Sequence, residues 1–353
     1  MSIADELTPR ERRVLEAVIK SYVQTAEPAG SRVLSRGFGL GVSPATIRNT
    51  MSDLEEKGFL RHPHTSAGRI PTDKAYRVYV DDLMRVEPPA AIDRDRLAEQ
   101  ITAGGSAIET ILRRAAQSLG VLTQELGLAI GPRLDQTILL KLELVRLTSE
   151  KLILVLTLKG GTVRTIFIEI RGEIADNAIS VVQQVLNARL GGLSLAEIRS
   201  SLGTRLRDAS PGGDAHELLN IFLQEGDSLF DVASPLESDA VVLGQASILV
   251  DQPEFASGES MKRLITLTET RSELATLLRD RASAPGAGAT GVSITIGDEH
   301  GSLLLGGLTL VTAEYRAGGL TGVIGVIGPT RMPYEKVISL VSHTSSLVSD
   351  LLT

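Results

Sequence analysis

No cysteine occurs among the 353 residues. Disulfides, thiolate metal sites and cysteine nucleophiles are therefore excluded, and the chain fits a reducing compartment. Tryptophan is absent too, and aromatic residues make up only 3%. Wide base-stacking platforms for single-stranded nucleic acid are thus not expected. No apolar run reaches the roughly 18 residues of a membrane span, and the opening MSIADELTPRERR has no apolar signal core. The expectation is a soluble cytoplasmic protein with no membrane partner. Apart from His62 and His64, the histidines are scattered. No nucleophile stands beside a recognisable base, and no P-loop stretch is present, so neither an enzyme nor a cofactor is expected. His62 and His64 lie two apart, but without cysteine or a nearby carboxylate they read as strand residues rather than metal ligands. GAGATG (286–291) has the spacing of a dinucleotide fingerprint. RASAP before it and the apolar VSITIG after it supply neither the preceding strand nor the following helix, so it reads as a connector.

The net charge of −7 argues against blanket nucleic-acid coating. Its distribution is more telling. From residue 28 to 80 there are eight Lys/Arg against four Asp/Glu, so a mildly basic head sits on an acidic body.

The head reads as helices in sequence. LTPRERRVLEAVIKSYVQT opens with a capping box of Thr8 and Glu11, with Pro9 at the first helical position. Val14, Leu15, Val18, Ile19, Tyr22 and Val23 form its stripe. AGSRVLSRGFG holds a short second helix, with Ser31 as cap, Val33 and Leu34 as its buried positions and Gly37 as its end. In the third, Ser43 is the cap, Pro44 the first residue and Gly58 the left-handed stop. FLRHPH, TSAGR and IPT read as an edge hairpin, and Thr72 caps a fourth helix whose buried face carries Tyr76, Tyr79, Val80 and Leu83.

Helix, helix, turn, helix and wing make a winged helix-turn-helix. With Ile47, Met51 and Leu54 turned inward, Ala45, Thr46, Arg48, Asn49 and Ser52 face out. Arg48 suits guanine and Asn49 suits adenine in a major groove. Ser43 and Thr46, at the positive end of the helix, suit a phosphate. Arg32 and Arg36 on the second helix suit phosphate clamps, and His64 and Arg69 place the wing on backbone or minor groove. A lone winged helix buries little DNA, so two heads on a symmetric body are expected to occupy both half-sites of double-stranded DNA as a homodimer.

Beyond a linker, RVEPPAAIDRD, two helices are expected at about 92–103 and 105–126. Three antiparallel strands follow, turning at Ser149–Glu150 and Gly160–Gly161. Residues 176–231 read as helical, DAVVLGQASILV as strand, 258–280 as one helix, then three strands and a closing helix over 333–352. A helical block thus interrupts a sheet: an α+β body with an inserted subdomain at roughly 175–255, the expected dimer interface. Arg331 in GPTRMPY (328–334) reads as a turn residue in an ion pair, with anion binding as the other reading.

The head segments LTPRERRVLEAVIKSYVQTAEPAGSRVLS and VSPATIRNTMSDLEEKGFLRHPHTSAGRIPTDKAYRVYVDDLM, with VIGPTRMPYEKVISLV near the other end, closely resemble the bacterial heat-inducible transcription repressor family HrcA. QPEF (252–255) and GPTRMPY also carry the likeness, which covers nearly the whole chain. The resemblance implies a winged-helix head over 1–86, a GAF-like domain over 87–174 and 256–353, and an inserted dimerisation subdomain over 175–255. It also implies a dimeric repressor of chaperone operons at the CIRCE inverted repeat, with the GroEL chaperonin as co-repressor. A metabolite-sensing regulator with a ligand in the GAF-like domain is the alternative. An enzyme with a DNA-targeting head has no catalytic residues to support it.

Overall fold

Thr8 starts the first helix as its sequence predicts. Its hydroxyl accepts from the Glu11 amide, and Glu11 reaches back to the Thr8 amide at 2.7 Å. The computed structural model describes residues 6–63, 68–103, 108–132, 136–159, 163–170, 174–209, 212–230, 241–282, 291–301, 305–317 and 320–352. The expected turn at Gly160–Gly161 and almost all of GAGATG lie outside these.

The head comprises α1 (Pro9–Thr25), α2 (Ser31–Gly37), α3 (Pro44–Glu56), the short strands β1 (Leu60–Arg61) and β2 (Ile70–Pro71), and α4 (Asp73–Val78). A π-helical turn, Tyr79–Leu83, continues α4, with Tyr79 buried within it. The second helix departs from expectation. Its N-cap is Gly30, Ser31 is buried inside the first turn, and Val33 is 59% exposed. β1 and β2 pair antiparallel, Leu60 opposite Pro71, and an isolated bridge adds Ala29 to Arg69.

The body contains α5 (Ala91–Thr102), α6 (Ile108–Thr123), β3 (Leu126–Ile130), β4 (Leu139–Arg146), β5 (Lys151–Leu158), β6 (Val163–Glu169), α7 (Asp176–Leu190), α8 (Leu195–Leu206) and α9 (Asp214–Leu229). After these come β7 (Val241–Leu243), α10 (Ser247–Val250), α11 (Gly258–Glu269), α12 (Arg271–Ala282), β8 (Val292–Ile296), β9 (Leu308–Ala317), β10 (Leu320–Pro329) and α13 (Tyr334–Leu352). The second long helix stops short of residue 126 because Gln124 takes a left-handed backbone, φ 61°. The apolar run that follows is a fully buried strand, β3, which periodicity alone does not separate from a buried helix. Gly127 is required there: a Cβ would lie 1.9 Å from the Ala116 carbonyl oxygen of α6. DAVVLGQASILV yields only the three residues of β7 before α10, and the expected helix at 258–280 breaks at Thr270.

Two sheets result. One has the order β7-β3-β10-β9-β8, the GAF-like sheet; the other is β4-β5-β6, antiparallel throughout. The chain divides into two compact units. The first takes Met1–Ala129, Val241–Glu314 and Val323–Val348, so the head and the five-stranded sheet belong together. The second takes Ile130–Ala240, Tyr315–Gly322 and Ser349–Thr353. The inserted piece is therefore larger at its start than the helical block placed at 175–255. Leu142, Leu144, Leu154 and Leu156 of the strands share one core with Val182, Leu186, Ile198 and Phe222 of the helices. Amphipathic strands and helices that bury one another cannot be parted at residue 175. The edge strand β4 is guarded by α7: Asn187 bonds both the amide and carbonyl of Leu142, and Gln183 accepts from the Leu144 amide.

In the head, Lys57, at the end of α3, reaches Glu11 of α1 at 2.8 Å. Burial pushes the Glu11 carboxyl up, but the bonds from Lys57 and Thr8 outweigh it and hold the carboxyl below its usual value. A carboxylate held low in the folded state adds stability above its unfolded pKa, and that stability is lost as pH falls through the lower folded value. Glu11→Gln should therefore lower the melting temperature at pH 7. The gap from the wild type should shrink below about pH 4, as followed by thermal melts across pH. A gap independent of pH contradicts this role.

Candidate nucleic-acid interface

α3 is built as its stripe requires. Ile47, Thr50, Met51 and Leu54 are buried, so the helix lies firmly on α1 and α2. Ser43 caps it, accepting from the Thr46 amide at 3.1 Å, and the Ser43 and Thr46 hydroxyls are 2.9 Å apart. Gly58 ends it with φ 77°. The opposite face points to solvent: Ser43, Ala45, Arg48 and Asn49 are exposed, while Thr46 and Ser52 are half-buried. Ser43 and Thr46 bond each other, so a phosphate here would compete with an existing contact.

Arg32 and Arg36 are exposed on α2. Among the described residues, no ion pair engages Arg32, Arg36 or Arg48. That leaves three cations with open hydration shells on α2 and α3, the charge a polyanion needs.

The wing is held differently. Gly68 runs under the start of α2, where a Cβ would sit 2.3 Å from the Ala29 carbonyl oxygen. Arg69 exchanges two backbone bonds with Ala29, at 2.8 and 3.0 Å. Its guanidinium meets Glu55 of α3 at 2.7 Å and His62 at 2.6 Å. The Arg69 charge is therefore committed to tying the wing to α3, which makes it less available than its place in the sequence suggests. Arg48, His62 and Arg69 line one cleft of about 430 Å³ with Ala29, Gly30, Ser31, Met51 and Gly68. The structure thus brings Arg48 and Arg69 together. His64 lies outside the described residues. Glu55 and His62 were not foreseen here. Glu55 sits on α3 among polar positions that look solvated in sequence, and only the folded wing supplies its partner.

Among the described residues no group of three acidic or imidazole side chains is placed to hold a metal, and no helix is long and apolar enough to cross a membrane.

The comparisons bear on this geometry. The family model described as "HrcA protein C terminal domain" matches residues 109–338. The chain is 39% identical to the heat-inducible transcription repressor HrcA of Chlorobium phaeobacteroides strain BS1, covering 99% of each chain. The chain belongs to the HrcA family of heat-inducible transcription repressors. The relative from Chlorobaculum tepidum is 40% identical over 99% of this chain and 98% of its own. Among solved structures, a "hypothetical protein" at 2.2 Å resolution is 21% identical, covers 99% of this chain and 98% of its own, and superposes with a TM-score of 0.58. That likeness supports the α+β fold. Both relatives carry the name of transcription repressors.

Proposed function

We propose that this chain represses chaperone operons by binding an inverted repeat of the CIRCE type as a homodimer, one head per half-site. The observation that carries the reading is the exposed, unpaired pair Arg48 and Asn49 on a helix whose other face is fully committed to the core. Arg48 reads guanine and Asn49 reads adenine; Arg32, Arg36, Ser43 and Thr46 sit towards phosphates, and Ala45 and Ser52 complete the face entering the groove. The relatives' name supports heat-controlled repression. The family resemblance supports GroEL as the co-repressor, so that free repressor tracks chaperonin supply.

The second unit supports one place for the dimer surface. On the outer face of β4-β5-β6 the register places Val145, Ile153 and Phe167 in one row, followed by Val155, and by Val163 at the edge. Phe167 is 65% exposed, and Val145 and Val163 are exposed too. A contiguous apolar row of this kind marks an association surface, and a second copy supplies a like face.

In gel-shift titrations, Arg48→Ala should weaken specific binding by about 1–3 kcal/mol, roughly five- to 150-fold, and non-specific binding far less. GroEL added to the same titration should raise the bound fraction. An equal loss on specific and random DNA would make Arg48 a phosphate contact. Separately, Phe167→Asp should sediment as a folded monomer at low micromolar concentration, where the wild type is a dimer; an unchanged dimer places the interface elsewhere.

A further inference from the structure

The DNA reading leaves QPEF (252–255) and GPTRMPY (328–334) without a task. In the fold they meet. Arg331 Nε donates to Glu254 Oε1 at 2.6 Å, and Nη2 donates to Oε2 at 3.1 Å. The remaining arm, Nη1, donates to the Val23 carbonyl oxygen at 3.0 Å. The fork thus grips the body with two nitrogens and the head with the third, a geometry that guanidinium offers and ammonium does not.

Val23 lies in the last turn of α1, where carbonyls lack intrahelical partners and the helix end is negative. α1 has no basic residue of its own in that turn, and Ala26 closes it in a left-handed conformation, φ 56°. The missing cation arrives from Arg331. A second contact lies elsewhere on the head: Arg77 of α4 forms a two-nitrogen pair with Glu299 and donates to the Ile294 carbonyl at 2.8 Å. The same side of the head is held further: the Asp298 amide donates to Asp73 at 3.1 Å, Tyr79 donates to Glu335, and the Tyr76 and Tyr334 rings lie 5.7 Å apart. To these points on α4 and the turn after it, Arg331 adds one on α1, and points on two elements define an orientation.

We infer that Arg331 is a positioning residue for DNA binding. Oriented by Glu254, it clasps the end of α1 and fixes the angle at which the head presents α3. The inference rests on the operator reading above, since two half-sites on one duplex can be filled together only if both heads hold a set orientation.

The cysteine-free chain allows a direct test. Spin labels at Val33→Cys on α2 and Ile265→Cys on α11, both exposed, report the head-to-body distance by pulsed electron resonance in full-length protein diluted with unlabelled chain. The parent should give one narrow distance. Arg331→Met should broaden or shift it, and Arg331→Lys, which keeps the charge but not the fork, should fall between. Glu254→Gln, which keeps the side-chain shape, should also broaden it, and it decides the matter if Arg331→Met fails to fold. A narrow, unmoved distance in the folded variants overturns the inference. On DNA, Arg331→Met should lose about tenfold or more of its affinity for the full inverted repeat while half-site affinity stays unchanged. An equal loss on both sites means a merely structural role and also overturns it. If the parent shows no preference for the full repeat yet the variants broaden the distance, the operator reading fails and the clasp stands.

Discussion

Burial of Ile47, Met51 and Leu54 is the constraint from which the rest follows. These three side chains pin α3 against α1 and α2, and that commitment leaves Arg48 and Asn49 no partner but solvent or a ligand. Full burial of such side chains is worth about 1.5–3 kcal/mol each, against roughly 0–1 kcal/mol for a surface ion pair. The helix orientation is therefore set by apolar packing, and the polar face is free to serve recognition. Ser43 and Gly58 then fix where the helix begins and ends.

Around this helix the charges divide into two kinds. Arg32, Arg36 and Arg48 stay open. Lys57, Arg69, Arg77 and Arg331 are spent on carboxylates: Glu11, Glu55, Glu299 and Glu254. The spent set holds elements together: α3 to α1, wing to α3, α4 to the body, α1 to the body. In a chain of net charge −7, that division leaves three open cations on α2 and α3.

Much of this was legible in the sequence. The capping box at Thr8, the Ser43 cap, the Gly58 stop and the alternating strands 139–169 depend on neighbours a few residues away, so local rules reach them. Three things were not legible. β3 hides in an apolar run that helix and buried strand share. The unit boundary near 130 depends on strands and helices sharing one core that runs from Leu139 to Phe230. The partners of Arg69, Arg77 and Arg331 are distant in sequence or set by the wing: Arg331 reaches Val23 across 308 positions. Composition shows that such cations exist but not which carboxylate holds them. Ser31 misled for a different reason, since a residue suited to capping was placed one position inside the turn, where it is buried.

The proposed function requires the polar face of α3 to enter the major groove twice, in a two-fold pair. Methylation interference on the inverted repeat upstream of a controlled operon tests this most directly, because guanine N7 lies in the major groove and adenine N3 in the minor. Two symmetric clusters of guanine interference are expected, one in each half-site. Interference confined to adenine, or a single unsymmetric cluster, would contradict it.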